Sequence, residues 1–407
     1  MPFEPSPRAL LTAIALLILA PLAAYHNTFH VPFIFDDTQA IVENSTIRHL
    51  SALGEILSPP RDTGTTVNGR PLVNLTLALN YAFGGLDVRG YHAVNLAIHL
   101  LAGLVLFGVV RRSALTPALR PRFGPASLFL ALSVALLWLL HPLQTESVTY
   151  VIQRAESLSA LFVLLTFYAF LRSAECHVIR DTPSGKNLRF WRVAASLACL
   201  AGVATKEVAA VAPVLVFLFD RTFIAGSFRA AWQARSRFYF GLGTSWLLLS
   251  GLVFSATNRG GTAGFGVGVS AWDYALTQCR AILLYLRLAL WPSPLVFDYG
   301  MDVEKSAVSV LPHFLALSAL LGATLFALRR FPALGFLGAW FFVILAPTSS
   351  IVPITTQTMA EHRLYLPLAA ICTFAVFASF LWIGQRALIA LTVIAVAFGV
   401  LTERRNR

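Results

Sequence analysis

Two adjacent carboxylates, Asp36 and Asp37, stand a dozen residues beyond the first long apolar run of this chain. Like charges side by side push one pKa upward, and a carboxylate so raised is suited to taking a proton from a hydroxyl. A charge that drifts into the hydrocarbon from a bilayer boundary is penalised, so acids at that depth are rarely idle. The plainer reading is a solvated pair of loop acids. Three further clusters carry ionisable groups. His141-Pro142-Leu143-Gln144-Thr145-Glu146 leads into Gln153-Arg154 and Glu156. Thr205-Lys206-Glu207 joins two apolar runs with almost no loop, and Ala360-Glu361-His362-Arg363-Leu364-Tyr365 precedes the penultimate run. Singly, each reads as interfacial anchoring, because long cationic side chains snorkel at such depths. Together they set carboxylates and cations at one membrane face around one cavity mouth, which fits chemistry on a lipid phosphate better than anchoring. His92, Asn95 and His99 share one helical face at steps of three and four. That spacing allows a metal site, but interhelical hydrogen bonding is the commoner use.

The elements that must position these groups are membrane helices. The chain has 407 residues, 57% hydrophobic and 12% charged, with mean hydropathy +0.71. That is an all-α polytopic membrane protein. Apolar runs fall near residues 9–24, 91–110, 123–140, 156–172, 190–205, 207–223, 238–256, 308–328, 333–350, 364–383 and 387–402, about eleven spans. With the N-terminus inside, the inner segments hold 17 of the 31 Lys+Arg against four of the 19 acids. The net charge of +12 is thus a product of topology by the positive-inside rule, and no nucleic-acid partner is expected. The four cysteines, Cys176, Cys199, Cys279 and Cys372, contain no CxxC and lie at different depths, so neither a disulfide framework nor a zinc site is expected. A cleaved signal peptide is the weaker reading of the first run, whose apolar stretch is long and whose Ala23-Ala24 end is a poor cleavage site.

The whole of 1–407 reads as one transmembrane domain with two large outward loops, 25–90 and 257–307. In the first loop, Pro71 behind Arg70 opens a short helix laid at the membrane surface. In the second, Trp272, Leu276, Cys279, Leu283, Leu286 and Leu290 form a stripe at four- and three-residue steps, with Asp273, Arg280 and Arg287 on another face. The spacing predicts an amphipathic helix at the outer interface, since a central Arg would be expensive in a span. If that segment crossed, there would be twelve spans. Asn44-Ser45-Thr46 and Asn74-Leu75-Thr76 match glycosylation sequons.

Phe35-Asp36-Asp37, Arg70-Pro71-Leu72 with a following Asn80-Tyr81, GYHAVNLAIH, HPLQTESVTYVIQR, TKE and AEHRLYLP occur in that order. In this the chain resembles the TMTC-type transmembrane O-mannosyltransferases and their bacterial relatives, within the GT-C superfamily of polyprenyl-phosphate-sugar-dependent glycosyltransferases. The resemblance covers essentially the whole chain. It implies a GT-C-type fold of about eleven transmembrane helices with an inside N-terminus. It also implies an outward site that moves mannose or a similar hexose from a polyprenyl-phosphate carrier to a hydroxyl. The acceptor it implies is Ser/Thr of a secreted or membrane protein, with a lipid or cell-envelope glycan as the alternative. Asp36 matches the family's catalytic position and is expected to be the base, with Asp37 orienting the acceptor or tuning its neighbour. Phosphate is already a good leaving group, so one base and no acid favour single displacement with inversion.

Lys206 is expected to hold the donor phosphate, followed by Arg363 and Arg154, with Arg70 or Arg280 next. His92, His141, Glu146, Glu207, Glu361 and His362 complete the expected substrate-binding face. No cofactor follows from these residues, and a divalent cation stays open. Family members usually continue into tetratricopeptide repeats. This sequence reaches Arg407 with no 34-residue period, which bears on the acceptor more than on the chemistry. Arg-dominated basicity, with lysine only at 186, 206 and 305, favours a bacterial inner membrane with the site facing the periplasm or exterior; in a eukaryote the membrane would be that of the ER. A transporter would show internal repeats and broken helices with charge at mid-depth. A non-catalytic scaffold would have no use for acids and cations converging on one face.

Overall fold

A computed structural model describes residues 5–59, 65–178, 185–255, 263–266, 268–300 and 302–407. The side chain of Cys176, Arg180, residues 60–64 of the first loop and residues 256–262 of the second loop lie outside them. Among the described residues the protein is helical without strands; a lone antiparallel bridge joins Ala263 to Ile354.

Helix α1 (Pro7–Ala24) starts where Ser6 Oγ accepts the Ala9 N–H, with proline in the first turn. The first large loop then carries α2 (Leu53–Leu57) and α3 (Pro71–Gly84). A long α4 (Val88–Ala114), a short α5 (Arg120–Phe123), α6 (Ser127–Leu140) and the short α7 (Thr145–Thr149) follow. The middle of the chain forms α8 (Arg154–Val178), α9 (Gly185–Thr205), α10 (Ala212–Phe223) and α11 (Phe228–Ser255), the last broken at Arg235. The remainder is α12 (Ala271–Leu290), α13 (Ala307–Arg330), α14 (Pro332–Leu345), α15 (Leu368–Ile383) and α16 (Ala387–Arg405).

The eleven expected apolar runs are largely helical, and among the described residues seven stretches are long and apolar enough to cross a bilayer. The last of these, Leu368–Arg405, is two helices folded back at Gly384, whose φ of 63° suits a residue without a Cβ. Its two ends meet at one face. Trp138 donates to the Tyr365 carbonyl just before α15, and Thr402 of α16 donates to the Leu140 carbonyl. The end of α16 therefore lies on the face that carries the large loops.

Helix α8 is the buried centre, packed on α4 and α9, while α13 is the most peripheral span. Lipid tails are as apolar as leucine, so spans associate through close packing rather than hydrophobic exclusion. A Cβ on Gly103 would come within 2.5 Å of the Leu139 side chain, and one on Gly335 within 2.3 Å of the Leu328 nitrogen. Both glycines hold helix pairs together by lacking a side chain.

The first loop has its own small core. Ile41, Ile47, Ile56, Val73, Leu77 and Tyr91 pack with Val151 and Ile152 beneath the polar face. Asn44 and Asn74 are buried there. Asn44 donates to Asn74 Oδ1 at 2.9 Å, and Asn74 donates to Thr46 Oγ1 and the Ile56 carbonyl. Both sequon asparagines are thus structural. Helix α12 is amphipathic with exposed Arg280 and Arg287, as expected, but the buried face differs from the predicted stripe. Trp272 and Leu290 are exposed, whereas Tyr274, Gln278, Ala281 and Tyr285 point inward. Hydroxyl and amide groups on that face find backbone partners, so it buries polar side chains that a hydropathy stripe does not count.

Candidate active site

Phe35 is the one non-glycine with positive φ (46°) among the described residues, an unfavourable conformation for a bulky side chain. Its ring lies 5.0 Å from that of Phe297, and the turn sends the two following carboxylates in opposite directions. Asp37 points into the protein and is 1% exposed. Its Oδ1 accepts the Ile152 N–H at 2.8 Å and its Oδ2 the Ile34 N–H at 3.2 Å, tying the loop to the start of α8. Burial pushes its pKa up to about 7, against the pull of these N–H donors. Asp36 is exposed on the cavity side. Its Oδ2 accepts from Thr66 Oγ1 at 2.9 Å, its N–H donates to Tyr150 Oη at 2.9 Å, and Oδ1 has no protein partner among the described residues.

Opposite stands a cationic wall. Arg70 precedes α3, donates to the Thr66 carbonyl at 3.0 Å and lies 3.6 Å from Glu207. Lys206 occupies the extended residue between α9 and the turn Glu207–Val211, which places its ammonium against Glu156 of α8. Burial pulls the pKa of Lys206 down and the Glu156 carboxylate opposes it.

The third wall is residues 348–363, braced from below by α12. Tyr274 Oη donates to the Thr348 carbonyl, Gln278 donates to the Thr358 carbonyl, and Tyr285 Oη accepts the Ala360 N–H. Arg363 spends its guanidinium on the carbonyls of Thr348, Thr358 and Gln357. Glu146 of α7 accepts both the backbone N–H and Nδ1–H of His362, at 2.9 and 2.6 Å. Glu361 turns away from the cavity. It accepts from Val296 N and Tyr299 Oη and pairs with Arg405 at 2.8 Å; burial raises its pKa.

These walls enclose a cavity of about 210 Å³. Six of the expected site residues line it: Asp36, Arg70, Lys206, Glu207, His362 and Arg363. Asp37, expected beside Asp36 as the residue that orients the acceptor or tunes its neighbour, and His92, His141, Glu146, Arg154 and Glu361, expected on the substrate-binding face, are buried behind the cavity and do not line it. Arg154 is fully buried and donates to Asn95 Oδ1 and the carbonyls of Tyr91 and Thr76, so it crosslinks α8, α4 and α3 rather than meeting a phosphate.

His141 accepts the Leu143 N–H at Nδ1 and faces the Ala289 carbonyl with Nε2. Burial drops its pKa to about 4, leaving it neutral. His92 contacts the Val31 carbonyl, and His99 lies between Tyr365 Oη and the Leu139 carbonyl. The side chains of the helical His-Asn-His face all contact protein groups, Asn95 donating to the Val148 and Val151 carbonyls. Among the described residues no group of three or more His, Cys, Asp or Glu could hold a metal ion. Thr66, Tyr150, Gln153, Phe297 and Asp298 also line the cavity and are not among the expected site residues. Tyr150 and Gln153 belong to the HPLQTESVTYVIQR motif, and Glu156 follows it by two residues. Asp298 carried no sequence signal.

Fold and site together define an integral, all-α membrane protein with a small charged chamber at the loop-bearing face. No family model matches the chain. Over 304 residues it is 29% identical to the protein O-mannosyl-transferase Tmtc1 of Drosophila melanogaster, covering 68% of this chain and 33% of that protein. It is 28% identical over 306 residues to Tmtc2 of the same species, covering 70% and 30%. Over 173 residues it is 30% identical to human TMTC3, covering 40% and 17%. The resemblance to the TMTC-type transferases is therefore borne out along most of the sequence. The chain spans about a third of the length of the fruit-fly relatives. A solved structure of ArnT from Cupriavidus metallidurans, bound to undecaprenyl phosphate, aligns over 92% of this chain and 60% of its own at 15% identity and TM-score 0.47.

Proposed function

We propose that this protein is a membrane glycosyltransferase that moves mannose or a similar hexose from a polyprenyl-phosphate carrier to a hydroxyl, by single displacement with inversion. One observation carries the reading: Asp36 Oδ1, a carboxylate oxygen without a protein partner among the described residues, opens onto the same cavity as Arg70 and Lys206. The named activity of the curated relatives supports it.

The acceptor hydroxyl oxygen attacks the anomeric carbon, and its proton passes to Asp36. The bond from that carbon to the phosphate oxygen breaks, and the phosphate leaves with the bonding pair. The growing negative charge falls to Arg70 and Lys206, since cationic donors set at developing charge lower the barrier. Arg363, its donors taken by carbonyls, shapes the wall instead of gripping phosphate. No acid is required. The acceptor we favour is Ser or Thr of an exported protein. The positive-inside rule puts the Arg-rich face in the cytoplasm and the chamber outside, in a bacterial inner membrane with the chamber on the periplasmic side.

Purified full chain, supplied with polyprenyl-phosphate mannose and a Ser/Thr peptide, tests this. Asp36→Asn keeps the shape and removes the base, so turnover falls by roughly 10²–10⁴ while donor binding persists. Near-normal turnover in that variant would end the role of Asp36 and make Asp298 the next carboxylate to replace.

A further inference from the structure

The opposite, Arg-rich end of the bundle holds a second and larger cavity of about 640 Å³. It is a slot between the ends of α4 and α5, the middle of α8, α10, α14 and α15, lined by Phe123, Phe167, Phe219, Trp340 and Phe377 among others. Along α15 it reaches from Leu381 to Ala369, which at the helical rise per residue is about 18 Å. It shares no lining residue with the charged chamber.

The polar groups of the slot are few and placed unequally. Ser113 and Thr373 line it, but their hydroxyls donate to the Val109 and Ala369 carbonyls of their own helices. With Trp340 Nε1 donating to the Leu366 carbonyl, the walls offer a guest no free neutral side-chain donor. A peptide or sugar placed there would leave its own polar groups unsatisfied. A hydrocarbon chain would not.

The remaining polar residues are Arg122 of α5 and Arg330, the last residue of α13. Both are exposed at the Arg-rich end of the slot, and neither has a carboxylate within ion-pair distance among the described residues. Basic pockets between spans on this side are suited to anionic headgroups.

We propose that this slot is a binding site for an anionic phospholipid of the leaflet at the Arg-rich face, one acyl chain between α14, α15 and α8 and the phosphate against Arg122 and Arg330. A donor lipid reacting in the charged chamber has its phosphate at the other end of the bundle. A phosphate at the two arginines therefore belongs to a different lipid. The site is independent of the proposed transfer chemistry.

Delipidated full chain is offered phosphatidylglycerol and phosphatidylcholine of identical acyl chains, and in a parallel arm polyprenyl phosphate, and retained lipid is counted by native mass spectrometry. One phosphatidylglycerol per chain is expected, preferred about tenfold or more over phosphatidylcholine, since each headgroup arginine favours anionic lipid. Arg122→Gln with Arg330→Gln should bring the two lipids to parity. As a readout that needs no change at the arginines, phosphatidylglycerol brominated in its acyl chains should quench tryptophan fluorescence, and Trp340→Phe should lose a share of that quenching. Equal retention of both phospholipids by the wild type would overturn the proposal, as would preference unchanged in the double variant. Retention of polyprenyl phosphate in place of phosphatidylglycerol would overturn it by assigning the slot to the carrier lipid.

Discussion

Asp36 and Asp37 are neighbours in sequence with unlike environments, and the difference is testable by pH. The folded state holds the Asp37 carboxyl at about 7, while an unfolded Asp titrates near 3.9. Between those values the folded protein binds the extra proton, so the stabilisation from Asp37 is complete below about pH 4 and lost as pH rises through about 7. Over that window the wild type should lose up to about 4 kcal/mol relative to Asp37→Asn. Thermal midpoints of both proteins at pH 4 to 8 check this, and parallel curves would remove the linkage. Lys206 calls for a paired experiment. Removing it strands Glu156 in a buried position, a loss of roughly 3–5 kcal/mol. Lys206→Ala should therefore unfold at lower temperature, whereas Lys206→Met with Glu156→Gln should recover most of the stability and still fail to transfer sugar. Transfer by the double variant would make the ion pair purely structural.

Two helices act on the chamber without entering it. Helix α12 supports the wall through Tyr274, Gln278 and Tyr285. Helix α16 reaches the same wall from the chain's end, where Arg405 pairs with the buried Glu361 and donates to the Pro142 carbonyl. Glu361 in turn holds Val296 N and Tyr299, next to the cavity-lining Phe297 and Asp298. Arg405→Ala leaves that carboxylate without its cation and should destabilise the protein by about 3 kcal/mol. Adding Glu361→Gln should return part of the loss, because an amide side chain can be buried neutral. The shift in thermal midpoint of the detergent-purified protein reads both effects. If the two variants unfold alike, the pair does not anchor the wall.

Topology is a property of the whole molecule, and burial decides where it can be probed. Glu146, Lys206 and Arg363 are buried, so cysteines there would stay silent whichever side they faced. Glu43, Arg280 and Arg407 are exposed at the loop-bearing face, and Arg122, Lys186 and Arg330 at the Arg-rich face. In a cysteine-free background, an impermeant thiol reagent outside the cell should label the first three positions and none of the second. Position 407 behaving like the Arg-rich-face positions instead would put the end of α16 on the opposite face from the one this fold gives it.

Membrane class, helix positions and the charge asymmetry were legible in the sequence because they follow from local hydropathy and flanking charge, which the bilayer reads residue by residue. So were the four polar clusters, since charge at a span boundary is costly enough to be conspicuous. Which residues line the chamber was not legible. Asp36 and Asp37 have the same side chain, and only the left-handed turn at Phe35 sends one out and the other in. Arg154 and Lys206 looked alike as boundary cations. Packing against Asn95 and Tyr91 sealed the first, while the extended backbone before Glu207 left the second on the cavity wall. Asp298 joined them from more than 250 residues beyond Asp36, a meeting set by how α12 and its following loop pack. Side-chain direction depends on tertiary contacts between distant segments, and no local pattern encodes it.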